Sequence, residues 1–437
     1  MELEGHFLDK RAFWEHHNYY EKEYKINEEN LPTSLPPILF KGNNKCVCFE
    51  INQDKTINNS YYIGIDWLIE GKKAVYVQSK INKDSNEQID YLAMVNHAIN
   101  HPEVFEHTKD LYEIKWDKPQ IYIQQKQDLL TPLLILQFLQ VVKTIVKKGL
   151  KKSYYKVENN LNSKVKGKIL TAKNVKLNIV KGGIIKTYCS YDEFGFNGIE
   201  NRLIKKTLIF IQRYLPANKS MWSGVPLGDI FNYIMPLFSN ISEEVNIKDC
   251  KHLKINSFFK EYKIAINLAK QILQRYGYNI NNVFNINLKT PPFWIDMSKL
   301  FELYVLGLLK DKYKGANEIA YHFKTHGNEL DYIINIPEYK TVVDAKYKIR
   351  YKSGVDHEDI RQVSGYARLK KVQSFLNFKE PKLIDCVIIY PESELNKNNE
   401  PITIDLQNTH EINDYVCVSK YGVKLPAIKE WEAPLYQ

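Results

Sequence analysis

The chain has 437 residues, enough for two or three domains with separate cores, and at 44% hydrophobic and 26% charged its composition excludes global disorder. A formal net charge of +10 favours a polyanionic partner, although a lysine-rich solvated surface explains that charge equally well. Six cysteines, at 46, 48, 189, 250, 386 and 417, show no C-x-x-C spacing, so neither a zinc ribbon nor a disulfide framework is expected.

Residues 1 to about 33 are polar and aromatic, with no apolar leader run, and no element is assigned to them. From Ile38 to Gln125 the pattern alternates with period two through KCVCFEI, YYIGIDWLI, KKAVYVQSKI and LYEIKWDKPQIYIQQ. That predicts a mainly antiparallel β-domain with one helix, in QIDYLAMVNHAINH. The period then lengthens: Leu133, Leu136, Leu139, Val142 and Val146 share a helical face, with Thr131 as N-cap, Pro132 at the first helical position and Gly149 at the close. Polar interruptions at Gln137, Gln140 and Lys143 make this run too short and too polar for a bilayer, so a reducing cytoplasm and no membrane association are expected.

A loop-and-strand stretch, VENNLNSKVKGKILTAKNV, precedes helices expected at about 199–215, 257–276 and 297–313, the last opened by Asp296. Next come a strand at about 317–323, the hairpin ELDYIINIPEYKTVVDAKYK, a helix at about 356–371 capped by Asp356, and a strand LIDCVIIY. Beyond Pro391, PITIDL and YVCVSKYGVKL are candidates for added edge strands. The fold class is α+β or mixed α/β, ending in a small mixed sheet flanked by helices.

The hairpin carries Asp331, Asp344 and Lys346 among strand residues as apolar as Ile333, Ile334, Val342 and Val343. Buried lone charges cost several kcal/mol or more unless paired or metal-bound. A turn over Pro337–Lys340 pairs Asp331 with Lys346 and Ile333 with Asp344, so the three charges converge on one face at one end. Two carboxylates on one face suit a hard divalent cation, and Mg²⁺ fits because it keeps several waters for chemistry, with Mn²⁺ as a substitute and the Ala345 carbonyl as a third protein oxygen. The bland alternative is an exposed Asp331–Lys346 cross-strand pair worth under about 1 kcal/mol.

The spacing D-x(12)-D-A-K resembles the PD-(D/E)xK nuclease motif, with Leu330 where proline is usual. Glu302, in KLFELYVLGLL, resembles the acidic residue on the helix before the nuclease sheet. Gln362 and Tyr366, in DIRQVSGYA, resemble the Q-x-x-x-Y element of RecB-like nucleases. More of the chain is similar to the McrC family, the nuclease subunit of McrBC-type modified-cytosine restriction systems: WIDMSKLFELYV, VVDAKYK, YYKVENNLNSKVKGKIL and YDEFGFNGIENRLIKKTL. The likeness runs over roughly residues 125 to 390.

The resemblance implies a metal-dependent DNA endonuclease subunit activated by a McrB-like AAA+ GTPase ring and acting on double-stranded, modified DNA, with dimerisation in the active assembly. It implies a β-rich partner-binding domain over 1–128, a mainly helical middle domain over 129–290 and the nuclease domain over 291–437. Asp331 and Asp344 are the implied metal ligands and Lys346 the implied activating ammonium. Glu302 assists through water, and Gln362 and Tyr366 position the site. No G-x-x-x-x-G-K-[ST] occurs in the chain, so nucleotide hydrolysis is expected of the partner.

Each assignment has a plainer counterpart. Glu302 reads also as the polar edge of an apolar helix, and Gln362 and Tyr366 as packing residues. Lys164, Lys166 and Lys168 alternate along SKVKGKIL and would share a strand face, either contacting phosphates or protecting a solvated edge. A non-catalytic adaptor of the motor and a stand-alone RecB-like repair nuclease are the alternative functions.

Overall fold

The computed structural model describes residues 13–16, 38–41, 46–54, 56–80, 89–124, 128–217, 227–245, 259–275, 287–313, 318–325, 327–352, 354–396 and 401–428. The chain is mixed α+β, and it forms two compact units: residues 1–133, 218–225 and 285–437, and residues 134–217 with 226–284. Where the sequence suggested three domains, the ends of the chain share one unit, and a single strand shows why. Phe293–Asp296 lies between Tyr62–Ile69 and Tyr112–Ile114 in a five-stranded sheet, antiparallel to both. Its Trp294 is fully buried and donates from Nε1 to Asp66 Oδ2 at 2.9 Å. Across the ladder stands Gly64, because a Cβ there would lie 2.1 Å from the Phe293 carbonyl oxygen.

The second sheet of this unit has six strands in the order Ile319–Thr325, Asn328–Asn335, Lys340–Ala345, Asp385–Pro391, Val418–Val423 and His410–Glu411. The first three are antiparallel; Asp385–Pro391 runs parallel to both its neighbours. Of the two C-terminal candidates, YVCVSKYGVKL supplies Val418–Val423, inside the sheet rather than at its edge, whereas PITIDL forms no strand and the edge is His410–Glu411. Between the parallel strands the chain crosses over through the His357–Ala367 helix, whose Ile360 and Val363 pack with Ile333, Val342 and Ile388. Asp356 caps this helix, accepting from the Glu358 amide at 3.1 Å. The Met297–Lys312 helix, capped as expected by Asp296 at the Lys299 amide, meets the opposite face, where Tyr332 donates to the Glu302 carbonyl at 2.6 Å.

In the other unit the Ile199–Ala217 and Lys260–Arg275 helices pack together, and a long antiparallel hairpin, Ser153–Asn162 with Lys186–Gly195, joins them. This ladder of ten pairs is far more regular than the loop-and-strand stretch expected there. The Leu130–Lys148 helix differs from expectation twice. Asp128 caps it, accepting from the Leu130 and Thr131 amides, and Pro132 then falls in the first turn, where no amide donor is needed. At 19 residues it is long and apolar enough to cross a membrane, but 83% of that stretch is buried in the protein, as in a core helix.

At the N-terminus, Phe13–Trp14 pairs in parallel with Val77–Gln78 and carries Glu15 into the interior, where burial pushes its carboxyl up to about 7. The folded protein therefore holds a proton that the unfolded chain releases near pH 4.5. Stability from this group is full below that pH, falls as pH rises, and is lowest above about 7. Glu15→Gln is expected to be more stable than the parent by roughly 2–3 kcal/mol at pH 7.5 and equal to it near pH 4.5, as read by urea denaturation. A variant less stable at pH 7.5 would show that the charged carboxylate is satisfied in place.

Candidate active site

The hairpin turns through Pro337 and Glu338 alone, with Ile336 and Tyr339 exchanging two backbone hydrogen bonds around them. Tyr332 pairs with Val343 and Ile333 with Val342. The four-residue turn expected from sequence would have set Asp331 opposite Lys346. The shorter loop slides the ladder by two residues, which preserves the face and brings Asp331 across from Asp344 instead. Asp331 Oδ2 accepts from the Ala345 amide at 2.8 Å. Asp344 is 2% exposed, and its Oδ2 lies 2.9 Å from Lys346 Nζ while making no well-directed hydrogen bond. The bland exposed pair of Asp331 with Lys346 is absent; the lysine's carboxylate partner is Asp344.

Lys346 also donates to Gln362 Oε1 at 3.0 Å, and Gln362 Nε2 donates to Tyr366 at 2.6 Å. The i, i+4 pair on the crossover helix thus forms a chain that ends on the lysine. Glu302 arrives from the Met297–Lys312 helix. Its Oε1 accepts from Tyr321 at 2.6 Å and from Lys299 at 3.3 Å, and faces His322 Nε2 at 2.6 Å. His322 holds φ at +51° within a strand, and the ladder omits the pair it would make with Asp331 while continuing at Phe323 and Leu330. Left-handed backbone in a strand costs on the order of 1–3 kcal/mol and gathers at functional sites. Lys299 and Tyr321 carry no signal in the sequence, and His322, four residues from His326, is set aside there as a zinc pair because the two straddle a strand end. Only the fold brings Lys299, Tyr321 and His322 to Glu302, and His326 lies outside the described residues.

Electrostatics separate the two aspartates from Glu302. Burial and then the facing Asp344 push the Asp331 carboxyl well above the ordinary range. Asp344 is also raised by burial, although Lys346 opposes this. For Glu302, burial works upward, but the His322 contact, the Lys299 charge and the Tyr321 hydroxyl outweigh it and hold it below its usual value. Burial disfavours the charge on Lys346, yet Asp344 keeps the ammonium above the ordinary lysine range.

Two buried carboxylates that repel each other, with Lys346 the cation beside one of them, are a donor set that a hard divalent cation completes. Among the described residues no group of three His, Cys, Asp or Glu is arranged to hold a metal. Asp331 and Asp344 would therefore share an ion with backbone carbonyl, water and substrate oxygens, which is the coordination Mg²⁺ favours. The triple engagement of Glu302 Oε1 leaves that residue better placed to hold a water than to ligate directly. Behind the site, Lys348 spans Asp356 and Asp359, and Tyr351 donates to Asp359 at 2.7 Å.

The three lysines belong to the other unit and do not line one strand face. Lys164 and Lys166 lie in a loop and only Lys168 is in a strand, while Lys166 pairs with Glu193 at 3.2 Å and covers the Tyr191 ring.

Residues 60–376 match the family described as McrBC 5-methylcytosine restriction system component. Among solved structures, one similar chain belongs to a half-complex refined from the tetradecameric assembly of Thermococcus gammatolerans McrB AAA+ hexamers with bound McrC, at 13% identity, TM-score 0.41 and 94% of both chains. Another comes from the Thermococcus gammatolerans McrBC complex, at 13% identity and TM-score 0.28, covering 71% of this chain and 88% of that one. A comparison with curated proteins returned no match.

Proposed function

The chain belongs to the McrBC 5-methylcytosine restriction system component family, and from that premise we propose that it is the Mg²⁺-dependent endonuclease subunit, cutting DNA when driven by a McrB-like AAA+ GTPase ring. The observation that carries this reading is the convergence of Asp331, Asp344 and Lys346 at one end of a sheet face, with the aspartates opposed and the lysine held by Gln362.

Asp331 and Asp344 would hold the ion together with the Ala345 carbonyl. Bound there, Mg²⁺ supplies a more acidic water as nucleophile and offsets charge on the phosphate. The Lys346 ammonium, kept charged by Asp344, would orient the attacking water or stabilise a non-bridging phosphate oxygen. Glu302, fixed by Tyr321 and His322, would hold a water near the two aspartates. Gln362 and Tyr366 keep the lysine on the substrate side. A cut through both strands needs two such centres, so two copies act together in the active assembly.

The partner half of the proposal rests on family membership and on the tip of the long hairpin. There Val180, Ile184 and Ile185 are 74%, 91% and 65% exposed, apolar surface of the kind that proteins cover with a partner. The test is plasmid cleavage with the AAA+ protein encoded beside this gene. Cutting is expected to need that protein, NTP and Mg²⁺ together, to stop with EDTA, and to return with Mn²⁺. Cutting that proceeds in EDTA would rule out the metal site, and cutting without the partner would favour a stand-alone repair nuclease.

A further inference from the structure

Lys346 and Tyr347 are consecutive and lie just past the Lys340–Ala345 strand, where the Lys348 amide turns back to the Lys346 carbonyl at 2.7 Å and the two side chains go to different surroundings. The lysine faces the carboxylates, while Tyr347 is 2% exposed and enters a pocket built from the opposite end of the sequence. Its hydroxyl donates to Glu15 Oε1 at 2.9 Å and lies 3.1 Å from Ser79 Oγ. Lys80 closes the pocket from above. Its Nζ donates to the Tyr347 carbonyl at 3.0 Å and sits 4.4 Å from the centres of both the Tyr347 and Tyr61 rings, while its amide donates to Glu15 Oε1 at 3.2 Å. Phe301, next to Glu302 on its helix, completes the wall with its ring centre 5.9 Å from that of Tyr347.

Glu15 is itself held firmly. Its amide donates to the Gln78 carbonyl at 2.9 Å, the next amide donates to Ser60, and His16 stacks on Tyr61 with ring centres 4.1 Å apart. A fully buried carboxyl with one oxygen serving two donors and the other serving none is an expensive way to fill space, and an apolar side chain would pack there at lower cost. What the carboxyl secures is the orientation of Tyr347 and with it the backbone that follows Ala345.

We propose that Glu15 and Lys80 are positioning residues for the nuclease centre: they clamp Tyr347, and through it the peptide that carries Lys346. The inference rests on the nuclease reading for its effect on rate, but the clamp has a signature of its own. A hydrogen-bonded clamp needs an acceptor at residue 15, whereas a structural filler needs only volume.

The experiment compares the parent chain with Tyr347→Phe, Glu15→Leu, Glu15→Gln and the Tyr347→Phe/Glu15→Leu double variant, in partner-activated cleavage and in amide hydrogen exchange at Lys346 and Lys348. Tyr347→Phe and Glu15→Leu are each expected to lower kcat about tenfold with KM for DNA unchanged, since small misplacements of a catalytic group act on rate. Glu15→Gln keeps the acceptor and stays within about twofold of the parent, and the double variant is no worse than the weaker single because both cut the same bond. Exchange at the two amides rises in the first two variants and not in Glu15→Gln. Unchanged kcat with unchanged exchange, multiplicative losses, or a Glu15→Gln loss equal to that of Glu15→Leu would overturn the clamp. If the parent chain does not cut DNA at all, the nuclease reading fails and the exchange pattern alone decides the clamp.

Discussion

Asp331→Asn is expected to abolish DNA cleavage and, with metal absent, to raise the melting temperature. The carboxyl is driven upward by burial and by Asp344 facing it, so an ionised Asp331 destabilises the metal-free fold. Because the folded value is raised, that penalty is absent below the ordinary carboxylate range and grows as pH rises from there. Asparagine keeps an oxygen for the Ala345 amide and removes the repulsion. At pH 7.5 in EDTA the gain should be on the order of 1–3 kcal/mol, a few degrees in Tm, and it should fade near pH 4. Cleavage should fall at least about 10³-fold, because losing a charged ligand removes several kcal/mol of metal-derived transition-state stabilisation. A variant that melts lower in EDTA at pH 7.5 would mean that Asp331 is a satisfied structural carboxylate.

Lys346→Met separates chemistry from metal binding. Methionine preserves the apolar stem of the side chain but deletes the ammonium that stands beside Asp344 and bonds to Gln362. The expected result is a fall in kcat of about 10²–10³, the usual consequence of removing one preorganised charge from a developing anion. Mn²⁺ should bind at least as tightly as to the parent chain, measured by calorimetry, since a competing cation has left the carboxylates. Lost Mn²⁺ binding would place the lysine in the scaffold of the site rather than in its chemistry.

Much of this site could be read from residues alone, because local chemistry dictates it. Alternation marked the hairpin, two aspartates announced their helices as caps at positions 296 and 356, and the spacing of Asp331, Asp344 and Lys346 put charges where burial forbids idle ones. Errors arose where a non-local choice decided the outcome. The pairing of Asp331 depended on whether Pro337 and Glu338 alone could close the loop, which propensity does not settle. Asp128 outcompeted Thr131 as a cap because its carboxylate reaches two amides at once. The sequence assigns no strand to Phe293–Asp296; its place between two N-terminal strands shows only in the folded ladder, where Gly64 leaves room for the Phe293 carbonyl. Lys164, Lys166 and Lys168 alternate in sequence, yet Ser163 at φ +52° and Gly167 at φ +68° break the strand there. The surroundings of Glu302 and the pocket of Tyr347 draw on residues from Glu15 to His322, a separation no sequence pattern spans.

In the proposed function the opposed aspartates run a metal-dependent cleavage within a partnered assembly. Its most direct test is supercoiled-plasmid cleavage with Mg²⁺, NTP and the neighbouring AAA+ protein, comparing the parent chain with Asp344→Ala and recording NTP hydrolysis in the same tubes. The expected result is cutting by the parent, at least about 10³-fold less by the variant, and equal stimulation of the motor by both. Equal cutting by parent and variant, or stimulation of the motor by both with no cutting from either, would contradict it and leave an adaptor in place of a nuclease.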